Sequence, residues 1–230
     1  GRGDGLFVST GFRGLTDIEA DADGGFVVTE GQHTPPRRSA RFDAEGNLLR
    51  EWYGAQHYGV IAGPEPGDPR FVWTLANAPQ PGLVRWEVDY AKKTWCVAEV
   101  YQEAFAANKF ATVPRVPNVF EKDGRIYIQG GGVQPVGFTL CVYDPVAKRV
   151  RPCNASESRD NKRRTYLWND LNDDGLATDD EMQWLTRSKL GGWIHPGDFT
   201  LRTTSTASDY NPGPLLKPAR ITAGGTPVYD

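Results

Sequence analysis

Histidine and cysteine are scarce in this chain, three of each among 230 residues, and methionine occurs once. The cysteines, Cys96, Cys141 and Cys153, are odd in number and nowhere spaced C-x-x-C, which excludes a zinc ribbon or a thioredoxin-type redox pair. No apolar run nears the roughly 20 residues of a membrane span, and no signal-peptide apolar stretch opens the sequence, so the chain as given reads as soluble. Charge of one sign is also missing. Twenty-six basic residues face 29 acidic ones for a net charge of −3, a total that points to neither nucleic acid nor an anionic membrane surface. Catalytic signatures are absent too: there is no G-x-S-x-G, no H-E-x-x-H and no phosphate-binding loop. The two ends, GRGDG at residues 1–5 and PVYD at 227–230, read as a loop and an unfinished strand, as expected for a piece of a longer protein.

What the chain does hold is turn chemistry. Glycine (26) and proline (17) are plentiful and aromatics make up 11 %, a mix that favours many short strands joined by tight turns over helices. The most informative stretch is residues 170–181, DLNDDGLATDDE, which matches the calcium-loop pattern D-x-[DN]-x-[DN]-G-x5-E at every defined position. Calcium is a hard cation that takes six to eight oxygens, and the loop offers them in order: side-chain oxygens from Asp170, Asn172 and Asp174, the carbonyl of Leu176, a water-mediated contact from Thr178, and both oxygens of Glu181. Gly175 sits where the sharp turn is needed. Six carboxylates crowd this loop and repel one another unless a cation or solvent screens them. The competing reading is an acidic surface turn, since Asn-Asp-Asp-Gly alone suits a hairpin.

An EF-hand requires an amphipathic helix on each side, yet residues 163–168, RRTYLW, are β-formers without helical periodicity. The loop is therefore expected to join a strand to a strand, or to a short helix through residues 179–182, and to hold a structural ion. Without a second loop or a Met-rich groove, the structural role is favoured over that of a sensor.

Upstream, residues 14–54 contain four short strands separated by Asp/Gly turns, the pattern of one β-propeller blade. Residues 17–29 (DIEADADGGFVVT) and 41–49 (RFDAEGNLL) resemble an NHL repeat, whose blades read as a strand into D-x-D-G, a valine-rich strand, a loop, and an R-F-D-x-x-G hairpin. The stretch QHTPP at 32–36 departs from the short connection usual there. Similar modules follow at propeller-like intervals, and Asp43, Asp89 and Asp144 each end a strand before a hairpin turn. The expectation is an all-β propeller, with about four to five blades' worth of chain of the sort found within a six-bladed ring. Its approximate blades are 14–54, 55–101, 115–153 and 164–204, the acidic loop lies in the fourth, and 205–230 is irregular or begins a further blade.

The resemblance and the loop together imply a calcium-stabilised binding or scaffolding module of a larger secreted or periplasmic protein, with a protein or carbohydrate ligand unidentified and no nucleic-acid partner. The alternative is a propeller enzyme of lyase or lactonase/hydrolase type, with a metal or a histidine base in the central channel. His33, His57 and His195 are the only histidines for that role, with Glu30 near His33 as an orienting carboxylate; an ordinary hydrogen-bonded histidine is the simpler account. Basic clusters at Arg37, Arg38 and Arg41 and at residues 159–164 lack a stacking platform and read as solvated faces. Arg2-Gly3-Asp4 and the glycines at 130–132 are read as chance and as a wide turn. Trp52, Trp73, Trp86, Trp95, Trp168, Trp184 and Trp193 are expected chiefly to fill space between blades, with sugar stacking as the alternative. Cys141 and Cys153 lie on two arms of one hairpin, which leaves a cross-strand disulfide or two buried thiols.

Overall fold

A computed structural model describes residues 15–30, 38–53, 60–76, 82–92, 94–101, 116–131, 137–159, 164–185, 191–204 and 212–230. Among the described residues the chain is all-β, with antiparallel sheets arranged as a four-bladed β-propeller. The first sheet runs β1 (Leu15–Ala20), β2 (Phe26–Glu30), β3 (Arg38–Phe42), β4 (Leu48–Tyr53), and the second β5 (Val60–Glu65), β6 (Asp68–Ala76), β7 (Gly82–Asp89), β8 (Thr94–Tyr101). The third has six strands: β9 (Val116–Lys122), β10 (Arg125–Gly131), β11 (Phe138–Asp144), β12 (Arg149–Arg159), β13 (Arg164–Asn169) and β14 (Met182–Leu185). A three-stranded sheet of β15 (Gly191–Ile194), β16 (Leu201–Thr204) and β17 (Pro212–Leu216) follows, and β18 (Arg220–Ile221) pairs with β19 (Pro227–Val228).

Within each sheet the spatial order is the chain order, because every strand turns back on its predecessor. The leading strands β1, β5 and β9 pack on one another, which sets the sheets around a common axis. The aspartates that close β3, β7 and β11 shape the hairpins that follow. Asp43 accepts from the Asn47 N–H, Asp89 from the Lys92 N–H, and Asp144 from those of Val146 and Ala147, each supplying the local acceptor that favours a turn over a continued strand.

The third sheet is the centre of the molecule. All of Phe138–Tyr143 is buried, and alternate residues enter two different cores. Val119, Ile128, Cys141, Tyr143 and Val150 pack against Trp73 and Leu83 of the second sheet. Phe120, Tyr127, Leu140, Val142, Cys153 and Leu167 pack against Ile194, Phe199, Leu201 and Tyr229. A strand covered on both faces loses the polar alternation of a surface strand, which is why FTLCVY is nearly all apolar.

Polar clasps pin the sheets together as well. Within the second sheet, buried Glu65 accepts from Trp73 Nε1 (3.0 Å) and from Arg85 Nε and Nη2 (2.7 and 2.8 Å), and the Arg85 guanidinium lies over the Tyr143 ring of the third sheet. Glu99 accepts from Tyr143 Oη (3.0 Å) and from Tyr101 Oη. Arg41 bonds Asp21 and Asp23 (2.6 and 2.7 Å) and lies over the Tyr90 ring, joining the first sheet to the second.

The structure departs from the sequence reading in one place and decides two alternatives that the sequence left open. Residues 164–185 do not begin a fourth blade: β12 pairs with β13 and β13 with β14, so they widen the third. Residues 212–230 are not irregular; they form three short strands, and Val228 and Tyr229 are buried. Cys141 and Cys153 are both free. A bulge between Leu140 and Cys141 sets Cys141 opposite Pro152, so the two thiols point into the two different cores and cannot meet. Burial pushes the Cys141 thiol up to about 12 and that of Cys153 well above its ordinary value.

Candidate metal centre

The loop at residues 170–181 joins β13 to β14, a hairpin whose register runs from Thr165 opposite Leu185 to Trp168 opposite Met182. A strand leads in, and a single 3-10 turn, Asp179–Glu181, leads into the next strand. Strand antiparallelism puts the loop at the same end of the third sheet as its tight hairpins, and Arg149 Nη2 donates to the Asp174 carbonyl across that end (3.2 Å).

Inside the loop the acidic residues act as acceptors for the loop's own backbone. Asp170 is fully buried; its Oδ1 accepts from the Asp174 N–H (3.1 Å) and its Oδ2 from the Gly175 N–H (3.1 Å). Asp174 accepts from the Leu176 N–H (2.6 Å) and from Asn172 Nδ2 (3.0 Å). Glu181, also buried, accepts from the Leu171 N–H (2.8 Å) through Oε1, and from Trp168 Nε1 (3.0 Å) and Thr178 Oγ1 (3.1 Å) through Oε2. Gly175 has φ +78°, and a Cβ there would come within 2.8 Å of Arg151 Cγ, so both the sharp turn and the close approach require glycine.

Two groups outside the calcium pattern anchor the loop. Arg151, on β12, pairs with Asp170 through Nη1 and lies 3.2 Å from Asp173 through Nη2. Burial raises the Asp170 carboxyl above its ordinary value, against the pull of the Arg151 charge and hydrogen bond and of the Gly175 N–H. Asp173 goes the other way. Burial raises it, but hydrogen bonds from Thr222, Gly224 and Thr226 and the charge of Arg151 outweigh that and hold it below the usual range.

No family model matches this chain, and no curated protein does either.

Of the predicted ligands, Asp170, Asn172, Asp174, Thr178 and Glu181 are linked through one hydrogen-bonded loop, while Leu176 turns its side chain outward. Their carboxylates are not drawn to one point: among the described residues no three His, Cys, Asp or Glu side chains form a group that could hold a metal. The donor set nevertheless fits a hard cation in kind, since every group offered is oxygen. Asp170 Oδ1 and Glu181 Oε1 each accept one N–H, which leaves lone pairs on both for an ion.

The other candidate groups are scattered. His195 is exposed on the turn after β15, where its Nδ1 accepts from the Gly197 N–H (3.2 Å) beside Asp198 (3.3 Å). His33, His57 and Arg2-Gly3-Asp4 lie outside the described residues. Trp73 and Trp168 are fully buried, as space filling requires, while Trp184 and Trp193 remain 42 % and 40 % exposed.

Sequence reasoning missed Arg151, Asp173 and the turn at 222–226. The signals available were an arginine inside the apolar strand VRPC, and the sequence TAGGT just before the apolar PVY. Asp173 occupies a non-ligating position of the calcium pattern, and its φ of +61° is a conformation that aspartate tolerates better than most residues.

Proposed function

We propose that this chain is a calcium-stabilised, NHL-like propeller module that serves binding or scaffolding in a larger protein outside the cytoplasm. The observation that carries this reading is the loop between β13 and β14. Its five pattern-defining residues lie in one hydrogen-bonded turn, with Gly175 left-handed at the position the pattern reserves for glycine. Asp170, Asn172, Asp174 and Glu181 hold the ion by side-chain oxygens, Leu176 by its carbonyl and Thr178 through water. Bound calcium supplies positive charge to a loop with six carboxylates and so removes their mutual repulsion. The role is structural, because the loop ties two strands of one sheet and is fastened on its far side by Arg151. Extracellular calcium modules work at dissociation constants of about 10⁻⁴–10⁻³ M, which fits a loop whose carboxylates already serve its own backbone.

The test is thermal unfolding of the chain in CaCl2, MgCl2 or EDTA. At calcium roughly 100-fold above the dissociation constant the native state gains about 2.7 kcal/mol, a rise of roughly 5–10 °C in Tm for a chain of this size. Asn172→Ala/Asp174→Ala alters two exposed side chains; it is expected to fold and to lose the shift. An unchanged Tm in CaCl2, or an equal shift in the double variant, refutes the assignment.

A further inference from the structure

Asp173 stands at the fourth position of the calcium pattern, which supplies no ligand, yet it accepts as many hydrogen bonds as Asp170 or Glu181, all of them from a turn outside the loop. Its Oδ1 accepts from Thr222 Oγ1 (2.6 Å) and Thr226 Oγ1 (3.0 Å), and its Oδ2 from the Gly224 N–H (2.8 Å). The approach is so close that a Cβ on Gly224 would come within 2.5 Å of the Asp173 carboxyl carbon. Arg151 bridges the same two pieces. While paired with Asp170 it donates to the Gly224 carbonyl (2.7 Å) and to Thr226 Oγ1 (3.1 Å).

Residues 219–230 make further polar contacts with the third sheet. Asn169, the residue before the loop, pairs with Tyr229 as a strand would, accepting from its N–H (3.0 Å) and donating to its carbonyl (3.1 Å). Asn154 donates to the Pro227 carbonyl (2.8 Å) and Tyr127 Oη to that of Gly225 (2.9 Å). The turn between β18 and β19 thus leans on the acidic loop, touching Asp173 directly and reaching Asp170 through Arg151.

We infer that the acidic loop and residues 219–230 are one cooperative unit, in which a divalent cation in the loop and the docking of this C-terminal turn strengthen each other, with Asp173 as the coupling residue. The inference rests on the calcium reading of the loop. Fixing a residue's backbone costs conformational entropy; a docked turn has already fixed Asp173 and its neighbours, so the cation meets a loop that needs less ordering. Linkage is reciprocal, and the cation must therefore favour docking by the same factor.

The experiment compares wild type with Thr222→Val/Thr226→Val, which removes the turn's two hydroxyl donors and leaves every loop carboxylate in place. Hydrogen exchange of peptides spanning 219–230 is followed by mass spectrometry in EDTA, CaCl2 or MgCl2, and calorimetry gives the calcium affinity of each protein. In wild type, CaCl2 is expected to slow exchange in 219–230 about fivefold or more, the lower end of ordinary coupling. The double variant should exchange faster there in EDTA and bind calcium about fivefold more weakly. Thr222→Ser/Thr226→Ser, which keeps both hydroxyls, should match wild type. Calcium binding that leaves exchange in 219–230 unchanged or faster overturns the inference, as does an unaltered affinity in the valine variant. Absence of calcium binding to wild type overturns the calcium reading itself and the coupling with it. Should the valine variant fail to fold, the wild-type exchange comparison decides alone.

Discussion

The pairing of Arg151 with Asp170 allows a quantitative test that needs no metal. Asp170 is fully buried and Arg151 is 8 % exposed. Besides Asp170, the guanidinium serves the Gly224 carbonyl, Thr226 Oγ1 and Asp173. Replacing it with methionine keeps the apolar stem but strands a buried carboxylate, a loss that typically costs about 3–5 kcal/mol. Asp170→Asn is milder: it keeps an oxygen for the Asp174 and Gly175 N–H groups and leaves Arg151 its other acceptors, so about 1–2 kcal/mol is expected. In the double variant no unpaired charge remains at position 170, and its loss should fall short of the sum of the single losses by at least about 1.5 kcal/mol. The assay is urea unfolding in EDTA followed by tryptophan fluorescence, with stability read from midpoints at constant m. Additive losses, or an Arg151→Met loss under about 1 kcal/mol, would show that this contact does not carry the loop.

Further outcomes follow from the remaining geometry. Burial pushes the Asp17 carboxyl up to about 6 from 3.8; its neutral form is favoured by folding, so the stability it contributes is full below pH 3.8 and is lost as pH rises through 6. Discounted for its partial exposure, Asp17→Asn should stabilise the protein by about 1–2 kcal/mol at pH 7.5 and hardly at all at pH 3.5, measured by urea unfolding at both. Of the three thiols only Cys96 is exposed, so a thiol reagent at pH 8 should titrate one cysteine in native protein and three in urea. Tyr229 is fully buried and its hydroxyl donates to the Phe199 carbonyl (2.7 Å); Tyr229→Phe should cost about 1 kcal/mol and Tyr229→Ala about 3–5 kcal/mol in the same assay.

Much of the architecture was legible because its causes are local. Asp43, Asp89 and Asp144 accept from N–H groups two to four residues ahead, and such short-range competition for backbone donors can be read from neighbouring letters. β13 was likewise legible from its β-formers. The membership of β13 and β14 in the third sheet was not: a hairpin from one blade to the next and a hairpin within a blade have the same local sequence, and only the pairing of β12 with β13 separates them. The choice between a disulfide and two buried thiols was not legible for a related reason. A bulge of one residue turns a side chain to the other face, and nothing in LCVYD or VRPC marks where it falls.

The loop at 170–181 divides in the same way. By itself the sequence determined the turn: the acceptors at 170, 172 and 174, the glycine at 175, and a glutamate placed to close on Leu171. Those are contacts within twelve residues, and their spacing is their geometry. The tertiary structure alone decided that Asp170 is buried against Arg151 and that Asp173 faces a turn some fifty residues further along the chain. The physical reason is that burial and ion pairing depend on which strands stack, and that stacking is set by apolar area shared among distant segments.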